Sequence, residues 1–191
     1  YHDVNNHPSR FCKDYNLNVS INVFKSQIKW IKRNFNIISP KNIENPGALP
    51  NNPALITFDD GFLGAYSNGI RYLIKNRIPS IMFLNMGHII NGSPIISAKA
   101  IFYQNFSEDT KISKNQMLHL IINPSKLEEI ENKLVKNYNN EILSFQGSLA
   151  DYNMVKEFAK NKYVFYGNHL FDHWNSPALN NSEFIENLKK N

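Results

Sequence analysis

Ala54-Leu55-Ile56-Thr57-Phe58-Asp59-Asp60-Gly61 is the stretch on which the fold turns. Ala54 to Phe58 is apolar or β-branched and too short for a helix of its own, so it reads as a buried strand ending at two acids and a glycine. Beyond the glycine, Leu63, Tyr66, Ile70 and Leu73 recur at helical intervals up to a basic end at Lys75 and Arg77, where cations suit a helix terminus. Pro79 then starts the next strand. Ile81 to Leu84 is a continuous apolar run of the kind buried on both faces of a parallel sheet. Strand, helix and strand in this order form the βαβ unit of an α/β fold.

Working outward, Ser20 precedes Phe24, Ile28, Ile31 and Phe35 at helical spacing, which predicts a helix over about Ile21 to Asn34 burying that stripe. Ile37 and Ile38 form a short apolar piece that stops at Pro40, and the Asn/Pro/Gly-rich segment from Asn42 to Pro53 reads as loop. On the other side, residues from about Asn91 to Ser148 have less regular apolar spacing. A capping box at Ser125-x-x-Glu128 is expected to open a helix through Leu127, Ile130 and Leu134, so this part reads as a mostly helical insertion at about 91–148. Met154, Val155 and Phe158 mark another helix, which leads into a strand at Tyr163 to Tyr166 that Gly167 ends. A loop or first helical turn carries His169 and His173, and Phe184, Ile185 and Leu188 mark a final helix.

The bulk properties narrow the classes. A length of 191 residues fits one domain, and 42% hydrophobic with 13% aromatic residues is ordinary for a globular protein. No apolar run reaches the length that spans a bilayer. The formal charge of +5 is scattered among asparagines and serines, which argues against nucleic acid as a partner. One cysteine, Cys12, excludes an internal disulfide framework and a thiolate metal site. Heavy use of Asn, Ile and Lys points to an AT-rich genome and a bacterium. The chain opens at Tyr1 with neither an initiator Met nor a signal segment, so an upstream segment is expected to be missing, and the compartment is open.

Two motifs carry chemistry. Asp59-Asp60 sits where a buried strand turns toward a helix, the end at which parallel α/β folds place reactive groups. Adjacent carboxylates repel and are expensive near a dry core unless a cation or proton satisfies them. The plainer alternative for the dipeptide is a helix cap followed by a turn residue. His169 and His173 are four apart, so in a helical turn both imidazoles would share a face and reach one metal ion; the plainer alternative is two half-exposed histidines. The metalloprotease signature with this spacing needs a glutamate after the first histidine, and Leu170 stands there. Two histidines and one carboxylate leave a fourth position open for water, as hydrolytic zinc sites require, and the second carboxylate free to take a proton. His2 and Asp3 read as a solvated end, His88 and His119 as structural, and Trp174 as packing or as a platform for a sugar ring.

Thr57-Phe58-Asp59-Asp60-Gly61 and His169-x-x-x-His173 resemble the first two motifs of the polysaccharide deacetylase family, the NodB-homology or carbohydrate esterase family 4 domain. Tyr1-His2-Asp3-Val4 resembles an opening strand of that family, and Ile78-Pro79-Ser80-Ile81-Met82-Phe83-Leu84 the strand after the aspartate helix; the likeness covers most of the chain except the insertion. The resemblance implies a distorted (β/α) barrel over residues 1–191, truncated at its C-terminal side. It implies Asp59 as catalytic base, Asp60, His169 and His173 as ligands of a divalent metal, with zinc the expected ion, and an N-acetylated glycan as substrate. The reaction it implies is attack of metal-activated water on an acetamide carbonyl.

Three departures accompany it. Leu170 stands where the family usually has a Ser or Thr that braces the loop. Asp60 and His169 lie 109 positions apart (169 minus 60), longer than usual, an excess assigned to the insertion. The later motifs, with the group that protonates the leaving amine, have no counterpart, so the general acid is expected outside this chain. An alternative reading is therefore a non-catalytic glycan-binding relative that keeps the metal site.

Overall fold

The computed structural model describes residues 1–106, 124–132 and 137–191. Among these, short parallel strand pairs alternate with helices in a mixed α/β fold. β1 (Asp3–Val4) pairs with β2 (Asn18–Val19), and β3 (Asn36–Ile37) with β4 (Pro53–Ala54). β5 (Thr57–Asp59), β6 (Ser80–Leu84) and β7 (Val164–Asn168) form one parallel sheet in that order. The Asp59 amide donates to the Tyr1 carbonyl at 2.9 Å, which sets the N-terminal segment beside β5.

The expected strand over Ala54 to Phe58 is two pieces. Ala54 pairs with Ile37 but Thr57 with Ile81, so Leu55 and Ile56 cross between sheets and lose the regular ladder. The expected loop before it holds two short 3₁₀ turns, Pro40–Glu44 and Pro46–Ala48, each started by a proline whose missing amide costs nothing there. In β6 burial alternates: Ser80, Met82 and Leu84 are buried, while Ile81 and Phe83 are only half-buried, so the run is not enclosed on both faces. β7 continues through Gly167 to Asn168 instead of stopping at the glycine. A Cβ on Gly167 would lie 2.4 Å from the Phe83 ring, so the glycine is there for close packing.

Of the helices, α1 (Arg10–Asp14) is a single short segment, and α2 (Ile21–Asn34) is capped by Ser20. α2 buries Phe24 and Ile28, but Phe35 is 38% exposed: it caps the helix in extended conformation, where helical spacing no longer applies. After Gly61 the chain makes a wide π-type turn over Ala65–Ile70 that runs into α3 (Arg71–Lys75). Tyr66, Ile70 and Leu73 from this segment pack with Val4, Phe24, Phe58 and Met82, all fully buried. Each such side chain contributes roughly 1.5–3 kcal/mol of hydrophobic stabilisation.

α4 (Met86–Asn91), α5 (Ile96–Phe106), α6 (Pro124–Asn132) and α7 (Asn139–Gln146) follow β6. α6 is described from Pro124, so Ser125 stands inside the helix and not at the N-cap position expected of it. Leu127 is buried, whereas Leu134 and His119 lie outside the described residues. α8 (Tyr152–Phe158) is capped by Asp151, and α9 (Asn181–Lys190) by an Asn180–Glu183 capping box. On α9 it is Asn187 that is buried, and Phe184, Ile185 and Leu188 are exposed. No helix among the described residues is long and apolar enough to cross a membrane.

Candidate metal centre

The carboxylates are set by the turn after β5. Asp60 has φ +68° and Gly61 φ +83°, and the Gly61 amide donates back to the Asp59 carbonyl at 2.9 Å. Aspartate tolerates the left-handed region better than most residues. At position 61 a Cβ would meet Leu84 Cδ2 at 2.9 Å and Ile89 Cδ1 at 3.2 Å, so glycine is required there on two counts. The Asp60 amide donates to the Phe83 carbonyl at 3.1 Å, tying the turn to β6. As a result the Asp60 side chain is 4% exposed and the Asp59 side chain 27%.

The histidines come from the segment after β7, two strands across the same sheet. Of the loop and the helical turn that the sequence leaves open, this segment is the loop: Leu170 and His173 both have left-handed backbone, at φ +63° and +56°. Their convergence is produced by backbone held from outside. The His169 amide donates to the Leu84 carbonyl at 3.0 Å and the Leu170 amide to Asn168 Oδ1 at 2.8 Å. The Phe171 amide donates to the Asn187 carbonyl, and the Asp172 amide to Asn187 Oδ1. Just after β6, Asn85 Nδ2 donates to the carbonyls of His169 and Leu170, and the Gly87 amide of α4 donates to that of Phe171.

These supports place His169 Nε2 at 3.4 Å and His173 Nε2 at 3.2 Å from Asp60 Oδ1. One ligand atom from each of Asp60, His169 and His173 lies within 4.8 Å of the others, so the three residues could hold a metal ion. The fit to zinc can be tested on these distances: a tetrahedral ion with bonds of about 2.0–2.1 Å separates its ligand atoms by roughly 3.3–3.4 Å. Both Asp60–histidine distances are close to that edge. Asp60 Oδ1 is buried and accepts no well-formed hydrogen bond among the described residues, the condition of a ligand oxygen turned toward a cation.

The electrostatics agree. Burial pushes the Asp60 carboxyl up, but His173, His169 and His2 outweigh it and hold Asp60 well below the usual carboxylate range. Burial lowers His169, and the adjacent Asp60 more than reverses this, leaving it raised. At His173 burial prevails over Asp60 and the pKa is lowered, which favours the neutral ring that ligates metals. His173 Nδ1 lies 3.1 Å from Ser97 Oγ on α5; in the tautomer that donates this bond, Nε2 carries the lone pair facing Asp60.

Sequence reasoning missed several neighbours. His2 and Asp3 are not a solvated end: His2 Nε2 lies 3.8 Å from Asp59 Oδ2, and Asp3 is 4% exposed. Ser97 and Asn85 stand on no apolar period and in no motif, so only the tertiary fold brings them to the histidines. His88 is buried beside Ser93, and burial pushes its pKa down to about 4, so it stays neutral. Trp174 packs partly buried against Ala100, Tyr103, Leu127 and Ile142.

No protein-family model matches the chain, and none of the curated proteins is similar to it in sequence. Solved structures are similar in fold. IcaB from Ammonifex degensii has a TM-score of 0.61 at 18% identity, covering 100% of this chain and 63% of that one. BC0361, a polysaccharide deacetylase from Bacillus cereus, has a TM-score of 0.58 at 18% identity, covering 100% and 43%. A de-N-acetylase from Aggregatibacter actinomycetemcomitans has a TM-score of 0.54 at 16% identity, covering 90% and 53%. The chain thus spans between 43% and 63% of the lengths of these proteins. With strand ends that gather two acids and two histidines on one sheet, the chain has the fold of the polysaccharide deacetylases.

Proposed function

We propose that the chain is the metal-binding part of a carbohydrate N-deacetylase, a distorted (β/α) barrel enzyme that removes N-acetyl groups from the sugars of a bacterial polysaccharide. The observation that carries this reading is a second carboxylate, Asp59, left outside the Asp60–His169–His173 cluster and partly open to solvent. A structural ion site needs no such spare acid, whereas amide hydrolysis needs a base within reach of the attacking water.

Asp60, His169 and His173 would hold the ion, with zinc the reading best supported by the nitrogen-and-oxygen donor set and the 3.2 and 3.4 Å spacings. When bound, the ion supplies Lewis acidity that makes water a better nucleophile and stabilises negative charge on the acyl oxygen. Asp59 takes the proton from the water that attacks the acetamide carbonyl. His2, 3.8 Å from Asp59 Oδ2, lies on the same side and helps to orient that carboxylate.

The test is metal analysis of the purified protein together with acetate release from N-acetylglucosamine oligomers. Asp59→Asn is expected to abolish acetate release while zinc stays bound, because the base is lost and the three ligands remain. Bound zinc with no acetate from any of several glycans would favour a glycan-binding relative instead, and absence of bound metal would refute the site.

A further inference from the structure

Leu170 lacks the hydroxyl expected to brace the histidine loop, yet the loop is held in a conformation that two of its residues adopt only at a cost. The brace comes from elsewhere. Asn85 follows β6, the strand between the one that leads to Asp60 and the one that leads to His169, and it is fully buried. Its Nδ2 donates to His169 O at 2.5 Å and to Leu170 O at 3.0 Å, so both protons of one amide are spent on consecutive carbonyls of the loop. Its Oδ1 accepts nothing among the described residues. Burying an unpaired acceptor is unfavourable, and a side chain chosen only to fill space would not carry one. The donors are therefore the reason for an amide at this position.

We propose that Asn85 is a positioning residue of the metal centre: by clamping the carbonyls of His169 and Leu170 it fixes the left-handed turn that aims both imidazoles at Asp60 before any ion arrives. This rests on the reading of the cluster as a metal site. The clamp does for the loop from β6 what a hydroxyl at position 170 would do from within it. It also helps to link the three strand ends, since β6 contributes the Phe83 carbonyl to Asp60 and the Leu84 carbonyl to His169, and Asn85, directly after it, holds the turn.

The test is zinc affinity measured by competition with a chromophoric chelator for the wild type, Asn85→Ala and the double variant Asn85→Ala/Leu170→Gly, with denaturant unfolding of each zinc-free protein. Asn85→Ala is expected to weaken zinc binding about 10- to 100-fold, the usual cost of losing an outer support of a metal ligand. Leu170→Gly in that background is expected to recover about tenfold, because glycine takes the left-handed conformation unaided. A filler residue would give no such recovery. Equal zinc affinity in the wild type and Asn85→Ala overturns the inference alone; a wild type that takes up no zinc overturns the metal centre with it. Should Asn85→Ala fail to fold, amide exchange in the zinc-free wild type decides: slow exchange at His169 to Asp172 supports a preformed loop, and exchange that slows only when zinc is added refutes it.

Discussion

Gly61→Ala separates the two demands made on the turn that presents Asp60. A side chain at φ +83° costs about 1–2 kcal/mol for an L-residue. Its Cβ would also stand 2.9 Å from Leu84 Cδ2 and 3.2 Å from Ile89 Cδ1, and overpacking of this kind costs about 1–3 kcal/mol. Reduced freedom of the unfolded chain returns about 0.4–1 kcal/mol, so the net destabilisation is about 1–5 kcal/mol. Gly92→Ala is the control. Gly92 has φ +63°, and a Cβ there would meet nothing within 4 Å, so it carries the backbone cost without the packing cost. Urea unfolding of both zinc-free variants should place Gly61→Ala lower by about 1–3 kcal/mol, or roughly 2–4 °C in Tm for each kcal/mol. Equal losses in the two variants would refute the claim that Leu84 and Ile89 confine the turn.

Further outcomes are expected. Ser97→Ala removes the partner of His173 Nδ1 and should weaken zinc binding about tenfold with little loss of zinc-free stability, read by chelator competition; unchanged affinity would leave Ser97 without a part in the centre. Zinc at a hundredfold excess over its Kd should raise unfolding stability by about 2.7 kcal/mol, a response that Asp60→Ala should lack. Burial pushes the Cys12 thiol up to about 12. The unfolded thiol ionises near its ordinary value of about 8.5. The stability this contributes is complete below that value and is lost as pH rises toward 12, at about 1.4 kcal/mol per pH unit. Cys12→Ala should remove that slope in alkaline denaturation series, and parallel pH dependences of wild type and variant would contradict it.

The sheet positions of Thr57–Phe58 and Ile81–Leu84 were legible because short apolar runs ending in turn residues have few alternatives in a parallel sheet, but the break of the Ala54–Phe58 run into two strands was not. The helix on Phe24 and Ile28 was legible from its spacing, but its end was not, since Phe35 keeps the period while leaving the helical backbone. The sequence singled out Asp60, His169 and His173, which the fold brings together, but they do not meet through the shared helical face that a spacing of four would offer. Their meeting depends on left-handed backbone at Leu170 and His173, which no side-chain period encodes. Asn85 and Ser97 were invisible, and His2 was read as a solvated end, for a related reason: each acts through contacts at a sequence distance of 57 to 85 residues, where pattern carries no information.

The strand order β5-β6-β7 has a consequence for assembly. β5 and β6 are joined by a short local crossover, but β7 must return across a long stretch of chain before its edge can zip onto β6, and the entropy of that closure is paid before its contacts form. Until it docks, the donors belong to two separate pieces of polymer, one bearing an acid and the other a pair of imidazoles. If the proposed centre takes an ion, its capture would have to wait for β7, and the rate of uptake during refolding would read out the docking of that strand.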